Sequence, residues 1–243
     1  MAVFGALPGP GTMTAPTTRS SGPAATLYDS ERGISYVKPS LRGWMHLVWF
    51  EAALVLGTLL IIDAHGGRAR TATAIYAASV AALFGASALY HRGNWGPAWN
   101  GRLQRLDHAM IFVLIAGTTT PVFLLASPNT LGLVSLIVMW SLTTVAITMH
   151  QFWMDAPEKL VGGTFLALGA AGMSSIPAVW MRVGTAPALL LVIGALLYAA
   201  GAVSYHHRSP DPRPAVFGYH EVFHTYVCLA AACQYVAIGV FLV

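Results

Sequence analysis

The chain has 243 residues, of which only 9% are charged while 56% are apolar, and its mean hydropathy is +0.63. Soluble globular proteins carry about 25% charged residues, so thirteen basic and nine acidic side chains cannot coat a soluble protein of this length. The composition is that of a polytopic membrane protein. It disfavours a secreted disulfide scaffold, a cytosolic enzyme and a nucleic-acid binder, since the net charge of +4 includes no dense basic run. Cys228 and Cys233 share one apolar segment and face different directions on a helix, so they predict no disulfide and say nothing about redox compartment.

Residues 1–26 are rich in Gly, Pro, Ser, Thr and Ala, have no apolar core long enough for a secretory signal, and read as a disordered tail. They belong to an N-terminal segment, 1–40, disordered or interfacial and expected on the cytoplasmic side, ahead of a membrane domain over 41–243. One helical crossing needs about 20 apolar residues. The stretch from Trp44 to Ile62 is apolar apart from His46 and Glu51, and charge-free stretches follow at 71–91, 108–154, 160–181, 183–207 and 222–243. The longest of these is split by a turn signal, Ser127-Pro128-Asn129. The predicted spans are therefore 44–62, 71–90, 107–125, 130–149, 160–180, 187–205 and 220–243: an all-α bundle of seven transmembrane helices. Within it, the Ala/Gly positions 77, 78, 81, 82, 85 and 86 read as close helix packing. Pro121 reads as a kink whose freed carbonyl is covered by nearby Thr hydroxyls. Tryptophans 44, 95, 99, 153 and 180 read as interface anchors.

Orientation follows from the basic residues. Arg19, Arg32, Lys38, Arg42, Arg92, Arg102, Arg105, Lys159, Arg208 and Arg213 fall on one side, against Arg68, Arg70 and Arg182 on the other. Ten against three predicts a cytoplasmic N-terminus and an external C-terminus in the cell membrane, opposite to G-protein-coupled receptors. A retinal protein is disfavoured, because the last span has no lysine for a Schiff base.

Ionisable residues inside spans are costly and are functional candidates by default. Here they converge on one level: His91 at the end of the second predicted span, Asp107 at the start of the third, and His220, Glu221 and His224 at the start of the seventh. All of these ends lie on the predicted cytoplasmic side. His220-Glu221-Val222-Phe223-His224 reads H-E-x-x-H, which places two imidazoles on one helix face at a spacing that shares a metal ion. Three histidines with an open fourth position suit catalytic Zn2+. Ser87, one turn before His91, and Asp107 are candidates to orient a ligand or a water at the ion. Each has a plainer reading: a serine bonding the carbonyl one turn back, and an acid complementing a helix dipole. Glu221 is either a general base or such a first-turn acid. Cys228 continues the His220–His224 face but reads as a buried apolar cysteine. His46, His65, His108, His150, His206 and His207 read as interfacial or loop residues.

S-A-L-Y-H-R at 87–92, R-L-D-H-A-M-I-F-V-L-I-A-G-T-T-T-P at 105–121 and G-Y-H-E-V-F-H at 218–224 closely resemble the hemolysin III branch of the progestin and adipoQ receptor family, and R-G-W-M-H at 42–46 is similar to the start of its first helix. The resemblance implies a seven-helix bundle with zinc on His91, His220 and His224 and with Ser87 and Asp107 lining the same site. It links the chain to relatives associated with ceramidase-type amide hydrolysis, to a cytolysin name, and to a proposed role in membrane homeostasis. Adiponectin receptors carry Gln where this chain has Glu221, so a universal base at that position is not implied.

The leading expectation is a zinc-dependent hydrolase of an amide or ester bond in a membrane lipid, with Asp107 or Glu221 moving the proton. A non-enzymatic receptor or membrane-state sensor with structural zinc is the alternative, and a hemolysin-like pore ranks last.

Overall fold

The computed structural model describes residues 26–29, 34–127, 129–153 and 157–243. The tail expected over the first 26 residues, together with Arg19 and Arg32, lies almost entirely outside them. Chain contacts divide at Lys38 and Pro39 into two units. In the first, β1 (Thr26–Asp29) pairs antiparallel with β2 (Ile34–Val37), Thr26 opposite Val37 and Asp29 opposite Ile34. No strand was expected there; the eight paired residues include Thr26, Tyr28, Ile34, Tyr36 and Val37, residue types that favour the pleated backbone.

The second unit is helical: α1 (Trp44–Asp63), α2 (Gly67–Arg92), α3 (Pro97–Pro121), α4 (Asn129–Phe152), α5 (Glu158–Gly172), α6 (Ile176–Arg182), α7 (Thr185–His207) and α8 (Tyr219–Phe241). Helices α5 and α6 are joined by a single 3-10 turn, Met173–Ser175, and together make one span. Among the described residues, seven segments are long and apolar enough to cross a bilayer, as the sequence predicts. This is an integral membrane protein with a seven-helix bundle.

One boundary moves substantially. The third span was expected from 107, where the apolar run begins, but α3 starts at Pro97. Proline is pre-organised for the first helical position, and the residues between, including Arg102, Gln104 and Arg105, are good helix formers. Asp107 therefore sits in the interior of a helix rather than at its start, and the helix-dipole reading does not apply to it.

At the other end of α3, Pro121 is followed by a widened π turn, Val122–Ala126. Pro121 withholds the hydrogen bond that Gly117's carbonyl would receive. The neighbouring hydroxyls do not cover that group: Thr119 and Thr120 both donate to the carbonyl of Ala116, at 3.0 and 2.7 Å. Thr120 also accepts from the Trp140 indole of α4 at 3.1 Å, which ties the bend to its neighbour.

Helices α2, α3 and α8 have half or more of their apolar stretch buried, whereas α1, α4, α7 and the α5–α6 span are mostly exposed and lie outside them. In a bilayer, where lipid tails are as apolar as Leu, close van der Waals contact rather than water exclusion holds helices together. Small residues permit it. Ala77 of α2 meets Gly57 of α1, and Gly85 lies against the Phe50 ring; a methyl group on either glycine would come within 3 Å of these neighbours. Ala78, in the same predicted stripe, is exposed. Below the helix ends, Leu83, Phe84, Leu114, Val227, Cys228 and Ala231 form one core cluster shared by α2, α3 and α8. The central trio thus brings the ends of α2 and α8 and the first half of α3 to one place. The five tryptophans expected as anchors are all exposed.

Candidate metal centre

The site is built on the first turn of α8. A helix start leaves its first N–H groups without partners. Here the N–H of Gly218 donates to Glu221 Oε2 at 2.8 Å, and that of Tyr219 to Asp211 Oδ1 at 3.0 Å. The other Glu221 oxygen is taken by Arg42 Nε in a buried ion pair, with Glu221 0% exposed. Both oxygens of this carboxylate are thus engaged in fixing the turn and tying it to the segment before α1. That segment is further held by backbone bonds from Ser40 to Ala215 and from Leu41 to Val216.

With the turn fixed, His220 and His224 project on one face, their ring centroids 4.6 Å apart. His91, in the last turn of α2, brings its ring to 4.6 Å from His220 and 5.1 Å from His224. Its approach depends on Gly43, which holds φ at +77° just before α1. A Cβ there would lie 2.8 Å from that of His91, so both the backbone conformation and the space require glycine.

One nitrogen from each of His91, His220 and His224 lies within 4.8 Å of the other two, a group that could hold a metal ion. Bonds of 2.0–2.1 Å at a tetrahedral ion set neighbouring nitrogens about 3.3 Å apart. His91 Nε2 and His220 Nε2 are 3.2 Å apart, which fits that spacing and also that of a hydrogen bond between neutral rings. Buried His224 Nδ1 has no hydrogen-bond partner, an arrangement that an isolated imidazole in an apolar bundle makes costly. The donor set fits a borderline-soft divalent ion such as zinc.

Asp107 reaches the same point from α3: its Oδ2 is 3.6 Å from His91 Nε2, the nitrogen that faces His220. The carboxylate therefore stands beside the histidine cluster rather than behind a ligand. Ser87 lies next to Asp107 on the α2 side. It also meets a residue that sequence reasoning left at the interface: His46 Nδ1 is 2.8 Å from Ser87 Oγ, and the His46 ring, 3% exposed, stacks on His224 with centroids 3.7 Å apart. His46 is thus a fourth histidine of the centre. The signal that could have found it was the R-G-W-M-H segment, which also carries Arg42 and Gly43.

Comparison with known proteins accords with this geometry. A haemolysin-III related family model matches residues 34–235, a stretch that includes every residue of the site. The chain belongs to this family. A hemolysin-3 homolog of Bacillus subtilis (strain 168) is 28% identical over 133 residues, 55% of this chain and 60% of the relative, so the match spans less than two thirds of that protein. Hemolysin-3 of Bacillus cereus is 28% identical over 159 residues, 63% of this chain and 72% of its own length. The heptahelical transmembrane protein ADIPOR2 of Oryza sativa subsp. japonica is 31% identical over 153 residues, 57% of this chain and 67% of its own length. The resemblance read from the motifs to the hemolysin III branch of the progestin and adipoQ receptors is borne out.

The remaining sequence candidates fall away from the centre of this haemolysin-III related protein. Cys228 is a free, buried thiol in the apolar cluster beneath His224. His65, His206 and His207 are exposed, as expected. His108 and buried His150 face each other between α3 and α4, with centroids 5.4 Å apart. Glu51 is exposed on α1 and forms no ion pair among the described residues.

Proposed function

We propose that this protein is a zinc-dependent hydrolase of an amide or ester bond in a membrane lipid, with a role in membrane homeostasis. The observation that carries the reading is the carboxylate of Asp107 standing 3.6 Å from a nitrogen of the three-histidine cluster, at one end of a membrane bundle. His91, His220 and His224 would hold the ion. When bound, zinc there supplies Lewis acidity toward a carbonyl and acidifies water toward neutrality.

The chain's own residues then divide the work. Asp107 Oδ2 takes the proton released from water and returns it to the leaving nitrogen or oxygen. Glu221 does not share this role, because Arg42 and the Gly218 N–H engage both of its oxygens. Ser87, bonded to His46, sits beside Asp107 and aligns it. The apolar cluster of Leu83, Phe84 and Leu114 beneath the site excludes water and favours a lipid carbonyl over a soluble metabolite. The ten-to-three distribution of basic residues supports a cytoplasmic N-terminus, a cytoplasmic-side metal centre and residence in the plasma membrane.

A second reading, a membrane-state sensor with structural zinc, draws support from the way the cluster joins α1, α2 and α8. Metal analysis of the purified protein, followed by incubation with a panel of lipid amides and esters, separates the two. The hydrolase reading expects about one zinc per chain and release of fatty acid that stops in Asp107→Asn. Bound zinc with no cleavage across the panel would leave the sensor reading standing in its place.

A further inference from the structure

A groove of about 450 Å³ runs between α3 and α4 on the face of α3 that points away from the histidine cluster. Its lining is divided along its length. Arg102, Arg105 and the Gln151 amide form one end; Leu106, Ala109, Met110 and Ile147 form the other. The Gln151 amide donates to the Arg105 carbonyl at 3.3 Å, which fixes the two helices at the polar end. Arg105 Nε turns back to the Gly101 carbonyl at 3.3 Å, and the Arg102 guanidinium lies 5.4 Å from the Trp99 ring centre. Among the described residues neither arginine meets a carboxylate. Two basic side chains thus stand, among the described residues, at the head of an apolar groove with no acidic group between them.

The level at which they sit indicates the occupant. Exposed Trp99 and Trp153 flank the polar end, one on α3 and one at the end of α4, where indoles mark the headgroup region. Within the groove Leu106 of α3 is 41% exposed, so its open side faces acyl chains. Basic pockets between membrane helices at this depth match the headgroup of an anionic lipid.

We infer that this groove binds one anionic phospholipid, its phosphate between Arg102 and Arg105 and an acyl chain along Leu106, Ala109, Met110 and Ile147. The phosphate accepts from both guanidiniums, whose planar donors suit its oxygens. An anionic lipid is favoured over a zwitterionic one because it brings no ammonium to oppose the arginines. The site is independent of the metal: none of its residues belongs to the histidine cluster.

The test uses the full chain in nanodiscs of equal phosphatidylglycerol and phosphatidylcholine, with retained lipid identified by native mass spectrometry after extraction. The wild type is expected to enrich phosphatidylglycerol on the order of 10-fold over the bulk ratio. Arg102→Gln with Arg105→Gln should return the ratio to bulk, whereas Arg102→Lys with Arg105→Lys should keep most of the enrichment. Ala109→Leu, which fills the groove and leaves the charges in place, should also abolish it. Arg68→Gln with Arg70→Gln, at the opposite end of α2, should change nothing. Undiminished enrichment in the double glutamine variant, or in Ala109→Leu, would overturn the proposal. Loss of the bound lipid to millimolar inorganic phosphate would overturn it too, since the arginines would then be reading a free anion without the groove.

Discussion

The ring of His46 lies flat on that of His224, centroids 3.7 Å apart and planes 16° from parallel, while its Nδ1 bonds Ser87. One histidine from α1 thereby fixes the orientation of a candidate ligand on α8 and of a hydroxyl on α2. Groups that hold ligands in place typically change metal affinity by 10–100-fold when removed. His46→Ala is expected to weaken zinc binding by about that factor, read by competition with a chelator of known affinity. His46→Phe keeps a ring for the stack and loses the bond to Ser87, so it should fall between. Unchanged affinity in both variants would reduce His46 to packing.

Arg42 and Glu221 form a buried pair whose partners lie 179 positions apart in the chain. Removing one partner of such a pair leaves a buried charge and costs about 3–5 kcal/mol. Arg42→Met should therefore lower stability by that order, measured as a fall in the thermal midpoint of the detergent-solubilised protein. Glu221→Gln has only one acceptor oxygen for the Gly218 N–H and Arg42 Nε, and it leaves the buried Arg42 charge without its counter-ion, so it should cost a similar amount while leaving zinc occupancy intact. A loss of turnover in Glu221→Gln with stability unchanged would restore Glu221 as a base.

The spans and the histidine cluster were legible in the sequence for different reasons. Long charge-free runs are a composition signal that survives without tertiary knowledge, and His220 and His224 declare their shared face by spacing alone. Convergence of His91, Asp107 and His220 on one level followed from counting spans, which needs only parity. What the sequence did not disclose depends on side-chain direction. His46, Arg42 and Glu221 lie at helix ends, where an interfacial reading is equally natural, and only the packing of α1 against α2 and α8 turns them inward. The early start of α3 was hidden because Arg102 and Arg105 break the apolar run without breaking the helix.

Gly43 gives a test of how closely the helix ends must approach. Gly43→Ala combines a left-handed backbone, which costs an L-residue about 1–2 kcal/mol, with a methyl group 2.8 Å from His91 Cβ. Both effects push α1 and α2 apart at the metal centre. The variant should lose stability by at least that amount and bind zinc more weakly than the wild type, whereas Gly66→Ala, with φ +88° but nothing within 4 Å, should lose stability alone. Equal zinc affinity in the two variants would show that the Gly43–His91 approach does not govern the site.

Topology is testable with labels. A reporter after Val243 should behave as external and one inserted at residues 93–96, between α2 and α3, as cytoplasmic. Reports from the same side would contradict the odd number of crossings. Both reversed would keep the seven-helix bundle and move the metal centre to the outer face.

The histidines themselves set the last expectation. His91→Ala, His220→Ala and His224→Ala each remove one of three donors, and two imidazoles hold zinc weakly, so each variant should retain little metal after purification. Asp107→Ala and Ser87→Ala remove groups beside the cluster; they should weaken affinity by about 10–100-fold and still load at high zinc. Cys228→Ser, below the site, should change neither occupancy nor affinity. Because a bound ion stabilises only the folded chain, wild type with zinc at 100 times its dissociation constant gains about 2.7 kcal/mol. Chelation should therefore lower its thermal midpoint, and the histidine variants should show the lowered midpoint with or without added zinc. Full zinc occupancy in His91→Ala would be the most damaging outcome. His91 is the sole member contributed by α2, so the ion would then be held by α8 with another partner, and the 3.2 Å approach of His91 to His220 would be a hydrogen bond between two neutral rings and nothing more.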